Sequence, residues 1–287
     1  MSDGDVGADA GGPAKDVMTR AKFRREAEAL EARLRSLGTR ARAEGAKAYL
    51  KSDLAFAGND TASLRREVKA WRQAHPALAF DALLGFAEAL WQRRVFELRI
   101  FACELIVARA RELTVEHLAF LERLVRDSHT WALVDVIAPR LVGALLERAP
   151  GETGRELDRW ARDDDFWVRR AALLALLLPM RRGSGDWRRF RRYADPLVDD
   201  REFFIRKAIG WLLREAASRQ PAQVVAFVRP RVHRLSGVTW REAVRKLPAS
   251  DRHRLEELRM KSSERRESST TPGEGRSPRS GRRSARG

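Results

Sequence analysis

Residues 163–176 read DDDFWVRRAALLAL, and residues 199–212 read DDREFFIRKAIGWL. Laid over one another, the two stretches share acidic residues, two aromatics, an aliphatic residue, a basic pair and an alanine. Phe166 falls on Phe203, 37 residues on. Thirty-five residues before Phe166 stands Trp131, and 35 before that stands Phe96 of FELRIFACELI. A period of this size, with two helices in each unit, marks a HEAT-like α-solenoid of helical hairpins. The second helices of such units lie side by side and line one concave surface.

The rest of the chain from 18 to 260 agrees with an all-α reading. Apolar residues recur at three and four, as with Phe23, Ala27, Leu30 and Leu34. Helix starts are signalled near Pro76, at Thr114, after the Pro150–Gly151 break and at Pro221. No segment shows the alternation of a strand.

The repeat assigns sides to residues. Asp135, Arg170 and Lys207 occupy equivalent positions in successive units. Lys207, Trp211 and Arg214 form one stripe at i, i+4 and i+7, and Trp131 and Asp135 are an i, i+4 pair. The expected concave, basic wall carries Trp131, Asp135, Arg170, Lys207, Trp211 and Arg214. Arg169 and Arg170 adjoin, so helical spacing turns at least one of them away from it. The stretch SHTWALVDVIAPRL (128–141) is apolar nearly all round except for Asp135. Pro139 has no N–H, so the carbonyl of Asp135 loses its helical partner, and the helix is expected to kink or loosen there. Trp71, Trp91, Trp160, Trp167, Trp187 and Trp240 are read as core, and Glu97 with Arg99 as a structural polar pair. DWRRFRRYAD (186–195) is read as facing phosphate or solvent.

The formal charge is +17 over 287 residues, with Lys and Arg totalling 57 against 40 acids. Residues 1–17 are acidic and rich in Gly and Ala, and are expected to be a disordered extension. Residues 261–287 are a Ser-, Arg- and Gly-rich tail, also expected to be disordered. Most of the positive charge therefore belongs to the segment 18–260, and a chain this basic attracts polyanions, nucleic acid first. Cys103 is the only cysteine, which excludes a disulfide framework and suits a reducing cytoplasm. There is no apolar leader, and no run reaches ~18 apolar residues, so neither secretion nor a membrane span is indicated. The five His show no metal spacing, and no phosphate-binding loop, dinucleotide fingerprint or Ser–His nucleophile pattern occurs. No metal and no cofactor is expected.

Across about residues 20–248 the chain resembles the AlkD-type DNA alkylation-repair glycosylases. The resemblance rests on the order of LAFAGNDTASLRREVKAW, LWQRRVFELRIFACEL, TWALVDVIAPRL, FWVRRAALLAL, DDREFFIRKAIGWLLREAA and WREAVRKL. Trp131, Asp135, Arg170, Trp211 and Arg214 match the family's active-site pattern. AGND (57–60) departs from the family's Gly followed by an aliphatic residue. The resemblance implies a DNA N-glycosylase that removes cationic N3- and N7-alkylpurines from duplex DNA without flipping the base into a protein pocket, unlike most glycosylases. It implies a monomer acting on double-stranded DNA near the nucleoid.

The residue types suit that chemistry. An alkylated purine cation departs neutral and leaves positive charge on the sugar, as in glycoside hydrolysis. Negative potential and a placed water are needed more than an acid. Asp135 supplies the carboxylate, Trp131 and Trp211 offer π-faces to the sugar cation, and Arg169, Arg170, Lys207 and Arg214 suit phosphates. No lysine matches a catalytic position, so no Schiff base is expected. Two other readings stay open: a non-catalytic DNA-binding solenoid for damaged or branched DNA, and a protein-binding helical scaffold.

Overall fold

The computed structural model describes residues 20–270, with side chains to 261. The N-terminal extension expected at 1–17 and the tail beyond 270 lie outside the described residues. Helices α1 (Arg20–Leu37), α2 (Arg40–Leu50) and α3 (Thr61–Ala74) precede α4 (Phe80–Trp91) and α5 (Phe96–Ala108). Then come α6 (Leu118–Arg126), α7 (Trp131–Ile137), α8 (Gly143–Arg148), α9 (Pro150–Trp160), α10 (Phe166–Leu174) and α11 (Leu177–Arg182). The chain continues with α12 (Trp187–Leu197), α13 (Phe203–Ala217), α14 (Pro221–Val228), α15 (Gly237–Val244) and α16 (Ala249–Thr270). Among the described residues the only extended pairing is an isolated parallel bridge between Ala55 and Val95. The all-α expectation and its repeat are met. Phe96, Trp131, Phe166 and Phe203, aligned from sequence, each open the second helix of a pair, and Gly237 opens one more.

The helices form two compact units, one ending at Leu178 and the other starting at Pro179. In the first, α1 packs on α4 and α7 lies between α5 and α10. The stripe Phe23, Ala27, Leu30 and Leu34 is buried as its spacing predicts, with the Phe23 ring 6.2 Å from that of Phe86. Leu133, Val134, Ile137, Leu141 and Val142 fill the middle of the unit without measurable exposure. Each such side chain contributes about 1.5–3 kcal/mol on leaving water.

Arginines tie each pair of helices to the next. In the first unit Arg123 donates to Glu88, Arg126 to Asp163, Arg140 to Glu104, Arg159 to Glu122 and Arg170 to Asp135. In the second, Arg181 donates to Glu215, Arg231 to Asp195 and Arg234 to Asp199. All these partners are 34 to 37 residues apart, one structural period. Part of the arginine excess therefore serves the fold rather than a polyanion.

Pro139 acts where the sequence suggested. Between α7 and α8 the residues Ala138–Val142 adopt the wider π geometry, and Gly143 N–H donates to Ala138 C=O five positions back. The helix axis continues, so the missing proline N–H is absorbed as a π-bulge rather than a break. Gly143 closes the bulge against the α10–α11 joint. A β-carbon there would stand 2.6 Å from the Ala175 carbonyl oxygen. Gly143→Ala is accordingly expected to destabilise the protein by about 1–3 kcal/mol, read from the urea unfolding midpoint.

Three expectations need correction. Glu97 and Arg99 are buried but do not pair with each other. The Glu97 carboxylate accepts the backbone N–H groups of Ala57 (2.8 Å) and Gly58 (2.7 Å), which explains how the AGND loop is held. Arg99 donates to the Trp91 carbonyl and to Asp127. Trp91, Trp160 and Trp187 are core residues, whereas Trp71, Trp167 and Trp240 are half-buried. Trp167 packs on Phe166 and Trp240 under the Arg259 guanidinium, while Trp71 stands between His75 and the buried ring of Phe86, stacked on both. Finally, α16 runs to Thr270, past the tail boundary expected at 261.

In the second unit α13 packs closely along α15. Gly210 permits this approach, because a β-carbon would meet the Glu242 side chain at 2.7 Å. On α12, Trp187, Phe190, Tyr193 and Ala194 turn inward, while Arg188 and Arg192 face solvent, as one reading of DWRRFRRYAD held.

Candidate active site

Thr130 caps α7, its hydroxyl accepting the N–H of Ala132. Trp131 is the first helical residue and is half-buried. Asp135 follows one turn later on the same face, between inward-facing Val134 and Ile137. Its carboxylate meets the guanidinium of Arg170 from α10. Arg170 Nε donates to Oδ1 and Nη2 to Oδ2, both at 2.9 Å, with Nη2 also 2.8 Å from Oδ1. This is the two-pronged fork that arginine alone provides.

Burial is unequal across the pair. The Arg170 side chain is 2% exposed and that of Asp135 is 14% exposed. Burial pulls the Arg170 pKa below the usual arginine value, and the Asp135 charge and hydrogen bond oppose that shift. The guanidinium fixes two carboxylate edges while the acid keeps an outlet to solvent. The sequence register placed these residues one period apart, and the fork is the direct outcome of that register. Arg170 itself, expected to meet phosphate, is buried behind Asp135. Its position makes it the holder of the carboxylate.

The other expected cations differ in disposition. Arg169 is half-buried and donates from Nη1 to the carbonyls of Asp163 and Asp164, at 2.7 and 2.8 Å, closing the α9–α10 joint. In the second unit Trp211 is half-buried on α13. Arg214 donates to Glu242 and Glu215, which hold it within that unit. Lys207 is exposed, its ammonium 5.7 Å from the centroid of the Phe203 ring.

Tyr49 was not singled out from sequence. It lies in the last turn of α2 at 72% exposure, and its ring meets Trp131 edge to face with centroids 5.7 Å apart. No local motif marks it, because α2 precedes the recognisable periods. Phe166 and Trp167 also lie half-exposed at the head of α10, with ring centroids 4.4 Å apart. Among the described residues no group of three or more His, Cys, Asp or Glu is disposed to hold a metal ion, and no helix is long and apolar enough to cross a membrane.

The helical repeat that carries these residues is matched in comparisons with known proteins. No curated protein matches significantly. Among solved structures, one described as a predicted DNA alkylation repair enzyme from Enterococcus faecalis superimposes with a TM-score of 0.67 at 23% identity, covering 74% of this chain and 97% of that one. The protein smu.31 from Streptococcus mutans UA159 gives a TM-score of 0.50 at 15% identity, over 83% of this chain and 98% of the other. At these identities they speak for the fold. The profile of the family described as "DNA alkylation repair enzyme" matches residues 30–247. With that match running from α1 through α15, the chain belongs to the DNA alkylation repair enzyme family.

Proposed function

We propose that the protein is a monofunctional DNA glycosylase that hydrolyses the N-glycosidic bond of cationic N3- or N7-alkylpurines in duplex DNA. The observation that carries this reading is the Asp135 carboxylate, held in one orientation by Arg170 and still reaching solvent, one turn from Trp131. As the C1′–N bond breaks, its electron pair goes to the purine and cancels the purine's charge. The sugar becomes cationic. A fixed carboxylate at that point stabilises charge that develops only in the transition state, without reorganising to do so. Water adds to C1′ through its oxygen and passes one proton to the Asp135 carboxylate or to solvent, and Asp135 is assigned to orient that water. The indole of Trp131 offers its face to the sugar cation.

Arg170 acts through Asp135 and is a positioning residue in this scheme. Trp211 lies in the second unit, and its part in this chemistry is proposed from the family pattern alone. Lys207 is assigned to backbone phosphate because it is exposed. Arg169 and Arg214 already hold protein partners, and phosphate would share their guanidinium groups with them. The reaction calls for no metal, nucleotide or Schiff base, and the working compartment is the one that holds DNA.

The test uses methylated duplex DNA, with free 7-methylguanine and 3-methyladenine assayed after incubation. Release of either supports the reading. Tight binding without release favours a non-catalytic DNA-binding role. Weak binding at physiological salt favours a protein scaffold. A covalent adduct trapped by borohydride would overturn the monofunctional assignment. For Lys207→Ala, affinity for alkylated and unmodified duplex should fall to the same degree, and the slope of log K against log salt should drop by about 1.

A further inference from the structure

His129 stands two residues before Trp131 and belongs to no part of the chemistry above. Its backbone is left-handed, with φ +55, a region that few non-glycine residues occupy, although histidine enters it more readily than most. Among the described residues only Lys51 and Arg94 share that condition without being glycine. A strained position persists when its surroundings over-determine it, and it marks a place to look for function.

The surroundings are specific. His129 Nδ1 lies 3.0 Å from Asp53 Oδ1, and Nε2 lies 2.9 Å from Asp127 Oδ1. Arg94, from the α4–α5 joint, donates to Asp53 Oδ2 at 2.7 Å, and its Nη1 lies 3.5 Å from His129 Nε2 and 3.8 Å from Asp127 Oδ1. Arg99 of α5 and the indole N–H of Trp91 satisfy the other Asp127 oxygen. Each imidazole nitrogen therefore faces a carboxylate oxygen at hydrogen-bond distance.

The clasp has a second half. Asp53 follows α2 by three residues, and Tyr49 lies in its last turn. His129 precedes α7, and Trp131 lies in its first turn. The tail of α2 and the head of α7 thus touch twice, through Asp53 with His129 and through Tyr49 with Trp131. The two contacts close one ring of chain. Loosening the first frees the second, and the second borders Asp135.

We propose that His129 is a positioning residue that clasps α7 to α2 through Asp53 and thereby holds Trp131 against Tyr49, one turn from Asp135. Only its rate consequence rests on the glycosylase reading. The geometric consequence does not.

The chain has two tyrosines, Tyr49 and Tyr193, and the second is buried at 1% exposure. Ring-labelled tyrosine NMR therefore reports the corner through Tyr49, assigned with Tyr49→Phe, and the fold through Tyr193. In His129→Ala the Tyr49 signal should lose its indole-induced displacement and move toward the free tyrosine position, while the Tyr193 signal stays. Asp53→Asn, which keeps the backbone of 129 intact, should move Tyr49 the same way. Base release should be about tenfold slower in His129→Ala, mostly in kcat. A Tyr49 signal unmoved by both substitutions overturns the proposal, even if the parent releases base. A moved Tyr49 signal with no base release by the parent upholds the clasp and sinks the glycosylase reading instead. If His129→Ala also displaces Tyr193, Asp53→Asn alone decides.

Discussion

Asp135→Asn is expected to release methylated purines from duplex DNA about a hundredfold more slowly than the parent protein. The amide keeps the size and shape of the side chain but withdraws the full negative charge from the place where the sugar becomes cationic. Binding to unmodified duplex should change little, because a carboxylate does not favour a polyanion. The substitution has a second effect that must be measured beside the first. Arg170 is 2% exposed, and its charge is satisfied by the very group being neutralised. Breaking one side of a buried ion pair costs about 3–5 kcal/mol, so the variant should also unfold at lower urea. Rates must be taken well below that transition. A double variant, Asp135→Leu with Arg170→Met, removes both charges and should regain most of the stability without any activity. Activity in the double variant would remove Asp135 from the mechanism.

Arg170→Met is expected to lower stability by about 3 kcal/mol, the lower end for such pairs because the stranded Asp135 retains 14% exposure and some water. Base release should fall by about tenfold as the carboxylate gains rotational freedom. Arg170→Lys should recover little of either, since an ammonium cannot span both oxygens. Equilibrium unfolding and single-turnover base release on the same preparations check both parts. Full activity in Arg170→Met would show that the orientation imposed by the fork is irrelevant to the rate.

Much of this was legible before any coordinates. The repeat is carried by Phe96, Trp131, Phe166 and Phe203, which open successive second helices. The same register put Asp135 one period from Arg170, and a direct fork resulted. Sequence could not say that Arg170 would be buried. A basic residue on a helix reads the same whether it faces phosphate or the acid of its neighbour, and only packing decides. For that reason Arg169 and Arg214 were also read as phosphate ligands, although each holds partners at a joint or along α13. The half-buried Trp71, Trp167 and Trp240 were misplaced for a related cause. An indole with a partner at the surface is not distinguished by composition from one in the interior. Tyr49 and the His129 clasp escaped notice because their partners, Trp131 and Asp53, are separated from them by more than 70 residues and no pattern connects them.

The arginine links between successive helix pairs each reach an acid 34 to 37 residues away. Their phase is set by the length of the intervening joint and helices. One residue removed inside a helix turns everything after it in that helix by ~100°, enough to swing a guanidinium off its carboxylate. Removal of a whole period instead brings acid and base into register again with new partners. A lineage of such chains can therefore lengthen or shorten by entire units, while single-residue insertions are tolerated only in the joints.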